Sequence, residues 1–508
     1  MNKFDVVIIG SGLGGLCCGY ILSKEGYNVC IVEKNRQLGG SLQIFSRGKA
    51  IFDTGIHYIG GLAPGQNLHQ YFKYFDLMSK LKLKRLDMNG YDRIRFRDDD
   101  TDYFHAQGHD NFVNVLAEQF PGERNNLQRY IEKIKSTCEF FPLYSLRDDK
   151  KNIMDADFLG LNTKEVIESI TKNIKLRAVL AGSNALYAGV PEKSPFYVHA
   201  LVINSYIESS WKCINGGSQI AKYLAQSIKS MGGTILNYHH VSHFNLSGNE
   251  ITSVEMHPER SERQKIEGKI FISNIDISKT LEMVKDGGIR HAYRSRINSL
   301  ENTLSAFIIN IVFNKNSFPS WNYNRYIFDT VDVWKPVHYT SADWPGGVAI
   351  FMPASAKESE FSDSLTIMAY MRYEDVKQWA QSYSVIPHNA ENRGDGYEEF
   401  KQEKAEKLID FVEKFFPGFK QNIQSYYTST PLTYRDYIGS KDGSLYGILK
   451  DCNDPLKTYI SPKTKIPNLF LTGQNLNNHG VLGVTISSVV TSAEIVGKEY
   501  LLGKIRSA

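Results

Sequence analysis

Within its first forty residues the chain runs a short apolar strand, Asp5-Val-Val-Ile-Ile, into Gly10-Ser-Gly12-Leu-Gly-Gly15. A helical stretch follows, then a second apolar strand, Val29-Cys-Ile-Val, that ends in Glu33. Strand, G-x-G-x-x-G, helix, strand and acid in that order form a βαβ unit that holds the adenylate half of a dinucleotide. Gly10 permits the tight turn, Gly12 lets the backbone approach the pyrophosphate, and Gly15 lets the helix pack closely on the strand. The phosphates then meet free N–H groups and the positive end of the helix dipole. Glu33, 18 residues after Gly15, suits ribose hydroxyls and disfavours a 2′-phosphate, so FAD or NAD fits better than NADP.

At 508 residues the chain is too long for one ordinary core and is expected to build at least two domains. Hydrophobic content of 42% with 22% charged residues is that of a globular protein. A net charge of +4 with no basic stripe sets nucleic-acid binding aside. The six cysteines, Cys17, Cys18, Cys30, Cys138, Cys213 and Cys452, include no C-x-x-C pair. They read as small core residues in a reducing compartment. The N-terminal apolar stretch is the first strand and helix rather than a secretory signal. No run of about 18 apolar residues is present. The expected location is therefore the cytoplasm, with any membrane contact peripheral.

Further along, Lys34-Asn-Arg36-Gln-Leu-Gly39-Gly40-Ser41 and Phe52-Asp53-Thr54-Gly55-Ile56-His57-Tyr58 read as loops whose backbone lies against a ligand. Residues 91–105 read as a hairpin turning at Asp98-Asp99-Asp100, an acidic triplet taken as a solvated turn and not a metal site. Helical periodicity marks 111–140, 163–181, Gln219–Met231 and 398–416. Strands are expected at Thr234–Tyr238, Val241–Leu246, Ile251–Met256, 269–273, 304–313 and 364–371. The polar stretch His257–Gly268 reads as a hairpin tip. A last strand runs from Asn468 into Thr472-Gly473-Gln474, and Val481–Leu502 reads as one long apolar helix.

A second G-x-G-x-x-G is absent, which favours one tightly held dinucleotide over a separate nicotinamide domain. The expected fold is α/β: a Rossmann-type FAD-binding domain interleaved with a mixed-sheet substrate domain and a helical cap. Residues 1–88, 213–300 and 466–508 are assigned to the first, and 89–212 and 301–465 to the second.

The chain resembles the FAD-dependent carotenoid desaturase superfamily and, within it, the retinol saturase branch. The resemblance spans nearly the whole length. It is carried by the N-terminal glycine motif, Leu38-Gly39-Gly40, Gly55-Ile56-His57-Tyr58, Leu186-Tyr187-Ala-Gly189-Val-Pro191 and Gly216-Gly217-Ser218. Thr430-Pro431-Leu-Thr-Tyr434-Arg435, Gly443-Ser-Leu-Tyr446-Gly447 and Leu471-Thr472-Gly473-Gln474 complete it. Asn475 departs from the Thr-Gly-Gln-Asp of the saturases; an amide still bonds a hydroxyl but brings no charge.

The resemblance implies a non-covalent FAD, with Gly10, Ser11, Gly12, Leu13, Gly14 and Gly15 around the pyrophosphate and Glu33 on the ribose. Lys34, Arg36, Gly40 and Ser41 would line the phosphate and ribityl region. Gly55, Ile56 and His57 would approach the isoalloxazine, and Val241 would hold adenine. Gly473, Gln474, Gly483 and Val484 would close over the ribityl chain and ring, whose reduced form suits a helix N-terminus. Cys452 is not expected to attach the flavin.

With flavin carrying the hydride chemistry, the protein has to bind, orient and exclude water. His57 and His479 are the candidate active-site polar residues, with local hydrogen bonding in a crowded glycine loop as the alternative for His57; Tyr187, Tyr434 and Arg435 are the candidate substrate-lining residues, with bracing of the loop as the alternative, slightly favoured, for Tyr434 and Arg435. The implied activity is saturation or desaturation of a C=C bond in a polyene or other unsaturated lipid. Flavin-dependent cis–trans isomerisation and a non-catalytic flavin- or lipid-binding role stand as alternatives, and NAD(P)H stands as a transient reductant. The basic and apolar mixture in 163–181, with Lys164, Lys172, Lys175 and Arg177 beside Val166, Ile167, Ile170 and Ile174, reads as an interfacial helix or a cap helix.

Overall fold

A computed structural model describes residues 3–147, 157–258, 262–285, 287–355, 359–385 and 393–508. Its organising strand is Gln264–Ser273. Along one edge it pairs in parallel with the first strand, Lys3–Ile9. Along the other edge its first half pairs antiparallel with Glu250–Pro258, and its last residues pair in parallel with Leu469–Leu471. One strand therefore joins the beginning, middle and end of the chain. Val29–Val32 and Thr234–Leu236 continue the sheet beyond the first strand, and His239–Ser247 closes the far side. The first strand and Val29–Val32 are almost wholly buried, as parallel strands covered on both faces require.

A second seven-stranded sheet is built from Ile423–Ser429, Ser305–Phe313, Ser364–Met371, Gly347–Phe351, Asn324–Phe328, Asp92–Phe96 and Asp99–His105, in that spatial order. Side chains alternate across it with period two. Tyr326, Phe328, Ala349 and Phe351 join the core of the helical layer formed by residues 109–147 and 157–208. Ile327, Val348 and Ile350 join the opposite core, against the helix Asp395–Glu413. This alternation places Tyr326 and Phe351 on the face that meets the helical layer. The architecture is α/β, with two seven-stranded sheets, a two-stranded and a three-stranded sheet among the described residues, and a helical cap.

Several expectations shift. The hairpin turns at Arg97-Asp98, because Asp99 and Asp100 are drawn into the second strand. There Asp99 accepts from Lys175 and Tyr103, each at 2.6 Å, and Asp100 pairs with Arg95 at 2.9 Å. Residues 111–140 form two helices, His109–Gln119 and Arg124–Glu139, on either side of Pro121-Gly122. Likewise 163–181 splits into Thr163–Ile170 and Ile174–Ala181, the second capped by the Asn173 side chain. Ile167 and Ile170 are buried, and Ile174 stands 67% exposed, so the segment is not one continuous amphipathic helix. The long C-terminal helix breaks at Gly497, φ +95°, into Gly480–Val496 and Lys498–Ser507. The expected tip at 257–268 includes residues 259–261, which lie outside the described residues; the strands entering and leaving it pair antiparallel. Among the described residues no helix is long and apolar enough to cross a membrane.

Gly15 is the tightest point of the first crossover: a Cβ there would lie 2.1 Å from the Gly10 carbonyl oxygen. Overpacking against backbone has no flexible side chain to absorb it. Gly15→Ala is expected to lower the urea midpoint by at least ~1–3 kcal/mol equivalent. Gly503→Ala, in a helix with open space around the position, should hold stability or raise it by up to ~1 kcal/mol.

Candidate active site

A cavity of about 300 Å³ runs from the glycine loop to the face of the second sheet. At one end are Gly10, Gly12, Leu13 and Gly14, with Glu33 and Lys34 beside them; Gly40, Ser41, Gly55, Ile56 and His57 follow. Tyr58, Tyr206, Tyr326, Phe351 and Tyr446 form the other end. Two helix N-termini open onto it. The helix Leu13–Lys24 starts at Gly12 and the helix Gly480–Val496 at His479; neither has a side-chain cap or an acid in its first turn. Their free N–H groups are suited to anionic or hydrogen-bond-accepting ligand atoms.

Asn274 holds the glycine loop together. It follows the organising strand directly, and its Nδ2 donates to the Gly10 carbonyl at 3.2 Å. Cβ atoms added at Gly12, Gly14 and Gly473 would lie 2.9, 2.5 and 2.8 Å from its carboxamide. The glycines at these three positions thus make room for one side chain that links the loop to the C-terminal strand end. Glu33 is buried: Oε2 accepts from the Ser11 N–H at 2.9 Å and the Ser11 hydroxyl at 2.7 Å, and Oε1 from the Asn35 N–H at 2.8 Å. Lys34 donates to the Asp436 carbonyl at 2.6 Å, and burial pushes its ammonium down to about 8.

Of the residues expected around a dinucleotide, Gly10, Gly12, Leu13, Gly14, Glu33, Lys34, Gly40, Ser41, Gly55, Ile56, His57, Val241, Gly473, Gln474 and Val484 line this cavity. Ser11 and Gly15 lie behind it, Ser11 on Glu33 and Gly15 on Gly10. Arg36 is exposed and outside the lining. Gly483 and His479 face a second cavity of about 390 Å³, which shares Leu186, Tyr206, Gly480 and Val481 with the first. Leu456 and Tyr459, 56% and 42% exposed, also line that second cavity.

Tyr434 lines the first cavity, and its hydroxyl donates to the Thr54 carbonyl at 3.1 Å. Tyr187 and Arg435 line neither cavity. Tyr187 is buried with its hydroxyl 3.0 Å from His199 Nδ1; Arg435 braces the 380–382 segment through carbonyls and pairs with Asp436 at 2.7 Å. Cys452 is buried against Asn162, away from both cavities. Asn475 lines the first cavity and accepts from the Ile448 N–H at 3.2 Å.

Sequence reading missed Asn274, Tyr206, Tyr326 and Phe351 as site residues. The available signal for Asn274 was its place at the end of a strand aimed at the glycine loop. Tyr326 and Phe351 sit in five-residue strands buried on both faces, whose apolar runs show no polar alternation.

The His57 ring stacks on Phe351 with centroids 4.4 Å apart and planes within 2°. The His479 ring lies 4.5 Å from that of Tyr446. His57 Nε2 and His479 Nδ1 are buried without partners. Burial, with Lys212 near His57 and Lys450 near His479, pushes both imidazoles down to about 3. An unfolded histidine takes its proton near pH ~6.5. Between that pH and about 3 the unfolded chain binds the extra proton, so stability falls as pH falls through this window. His57→Phe keeps the ring stack and removes this contribution. In ligand-free protein the acid-side slope of unfolding free energy should become shallower by up to ~1.4 kcal/mol per pH unit, read by urea unfolding at pH 6.5, 5.5 and 4.5.

Residues 8–75 match the family described as NAD(P)-binding Rossmann-like domain. A human protein named all-trans-retinol 13,14-reductase is 26% identical over 97% of this chain and 86% of its own length. A 1-hydroxycarotenoid 3,4-desaturase from Flavobacterium sp. (strain P99-3) is 23% identical over 96% of this chain and 98% of its own. Among solved structures, an oxidoreductase from Methanosarcina mazei superposes with a TM-score of 0.63 at 15% identity, covering 96% of this chain and 99% of that one; it shows the shared fold. Along nearly its whole length the chain is thus similar to oxidoreductases named as a retinol 13,14-reductase and a carotenoid 3,4-desaturase.

Proposed function

We propose that the first cavity holds FAD non-covalently and that the protein saturates, or in reverse desaturates, a C=C bond of a retinoid- or carotenoid-like polyene. The observation that carries this reading is the continuity of the cavity. The glycine cradle and Glu33 at one end pass without a dividing wall into the aromatic end, and that end adjoins the second, largely apolar cavity. The residues present fit the group. The uncapped helix start at Gly12 suits a pyrophosphate, and the uncapped start at His479 suits the electron-rich edge of a reduced ring. His57 Nε2, buried without a partner, leaves a polar atom for the ligand to satisfy.

Bound flavin would supply hydride transfer at N5. The chain's own contributions are placement and exclusion of water. An unactivated polyene has no carbonyl to polarise, so positioning by the aromatic walls dominates over oxyanion stabilisation. His57 and His479, held neutral by burial, add no positive charge there at physiological pH. The second cavity takes the remainder of an elongated substrate, which enters past exposed Leu456 and Tyr459. A nicotinamide coenzyme would act as a transient reductant.

Purified protein is expected to be yellow, with FAD released by acid. After reduction with dithionite and addition of all-trans-retinol, the product should be two hydrogens heavier by mass spectrometry. Colourless protein that cannot be reconstituted with FAD overturns the cofactor reading. A product of unchanged mass excludes saturation and points to isomerisation.

A further inference from the structure

Saturating a C=C bond requires a hydride and a proton. The hydride is the flavin's part; the proton must come from the protein or from solvent. At the aromatic end of the first cavity three buried groups make an unbroken hydrogen-bonded line. Tyr326 and Tyr58 both line the cavity, and their hydroxyl oxygens lie 2.7 Å apart. The Tyr58 hydroxyl lies 2.8 Å from Asp92 Oδ2, and the other Asp92 oxygen accepts from Asn324 Nδ2 at 2.9 Å. Asp92 and Asn324 are fully buried. Asp92 and Tyr326 are brought together because their strands run side by side in parallel, with Asn324 opposite Asp92 and Tyr326 opposite Ile94. Tyr58 reaches them from the loop that carries His57.

We propose that Asp92, Tyr58 and Tyr326 form a proton relay into the cavity, with the Tyr326 hydroxyl as the group that protonates the substrate carbon next to the one receiving hydride. This rests on the reading of the site as a flavin-dependent saturase.

Two arrangements along the line differ in whether a proton is left for the cavity. With Asp92 protonated, its hydroxyl donates to Tyr58, Tyr58 donates to Tyr326, and the Tyr326 proton is left over for the cavity. With Asp92 ionised, Tyr58 donates to the carboxylate, Tyr326 donates to Tyr58, and no proton is left over. Passing from the first arrangement to the second delivers one proton. The Tyr326 O–H bond breaks as the new C–H bond forms, Tyr58 re-protonates Tyr326, and Asp92 re-protonates Tyr58. The C=C bond gains two hydrogens, the flavin is left oxidised, and the one net proton lost by the protein is the Asp92 proton, regained from solvent. No tyrosinate persists, which matters because burial and the Asp92 charge push both phenols well above their usual range. Run backwards, the same line accepts the proton of a desaturation.

Asp92 is suited to both arrangements. Burial pushes its carboxyl up to about 7, against Asn324, Tyr58 and Lys212, which favour the carboxylate. The other titratable groups that sense it are Tyr91, Tyr206 and Tyr326. Lys212, in the strand Ser210–Cys213, is itself buried and donates to the Met352 carbonyl at 2.9 Å. Burial pushes its ammonium down to about 7, and in its charged form it offers the ionised acid a nearby positive charge without a direct bond that would fix it in that state.

The test uses the FAD-loaded protein and the variants Asp92→Asn, Tyr58→Phe and Tyr326→Phe. Infrared spectra taken as a function of pH read the protonated-carboxyl band. Asp53 and Glu208, half-buried and also pushed up to about 7, retain their bands, so the band lost in Asp92→Asn belongs to Asp92. It should persist well above the ordinary carboxylate range and titrate near neutrality. In Tyr58→Phe its midpoint should move up, because a donor to the carboxylate has gone. Single-turnover reoxidation of the dithionite-reduced protein by all-trans-retinol reads delivery. Tyr326→Phe should slow it by about 10²–10⁴-fold, the range for loss of a general acid, and Tyr58→Phe should slow it comparably. Asp92→Asn should abolish the pH dependence near 7; flavin content and reduction by dithionite should be unchanged in all three. An Asp92 ionised throughout from pH 5 upward, or a Tyr326→Phe protein with wild-type rate and solvent isotope effect, overturns the relay. A wild-type protein whose Asp92 titrates near neutrality but which leaves retinol untouched counts for the relay's acid and against the retinoid reading.

Discussion

The carboxamide of Asn274 occupies the volume that Gly12, Gly14 and Gly473 leave open, and the site depends on that one packing event. Its amide bonds the Gly10 carbonyl at the end of the first strand, and its backbone N–H donates to the Ile9 carbonyl at 2.9 Å. A side chain at any of those glycines would collide with it. Since Asn274 ends the strand that also pairs with Leu469–Leu471, the glycine loop is registered against the C-terminal helix through a few covalent bonds. The contact lies at the start of the first helix and seven residues before the start of the C-terminal helix, the two helix N-termini that open onto the cavity.

From that junction the cavity gains chemistry by a change of lining. Near the glycine loop it offers backbone N–H groups and small residues, which let a ligand's phosphates approach closely. Near the second sheet it offers rings: His57 stacked on Phe351, Tyr58 4.4 Å from Tyr206, and His479 against Tyr446 on the side of the second cavity. Burial holds the histidines neutral and raises the carboxyl of Asp92. The same low-polarity surroundings that suit an apolar substrate therefore also adjust the titrating groups around it.

Much of this was legible in the sequence. The βαβ unit announced itself because each of its parts has a separate physical requirement, and Gly10, Gly12, Gly15 and Glu33 meet them in order. The Gly55–Tyr58 loop and Thr472-Gly473-Gln474 were visible as glycine-bearing stretches next to strands. What stayed hidden shares a cause. Strands Asn324–Phe328 and Gly347–Phe351 are buried on both faces, so their composition lacks the alternation that marks a strand. The helical segments at 111–140, 163–181 and 481–502 kept their periodicity across breaks that only a local glycine, proline or capping asparagine revealed.

By itself the sequence determined the βαβ unit of a Rossmann-like domain around the first helix, because the glycines and the acid act through local backbone geometry and through spacing of a few tens of residues. It also carried the likeness to the saturases and desaturases, which is spread along the whole chain. Only the tertiary structure decided which residues share a cavity. Tyr187 and Arg435 belong to motifs yet turn into packing. Asp92, Tyr58 and Tyr326, in no common motif, meet in one hydrogen-bonded line. The physical reason is that strand register and side-chain alternation choose the face on which each residue appears, and register across a sheet is set by pairing between segments more than two hundred residues apart.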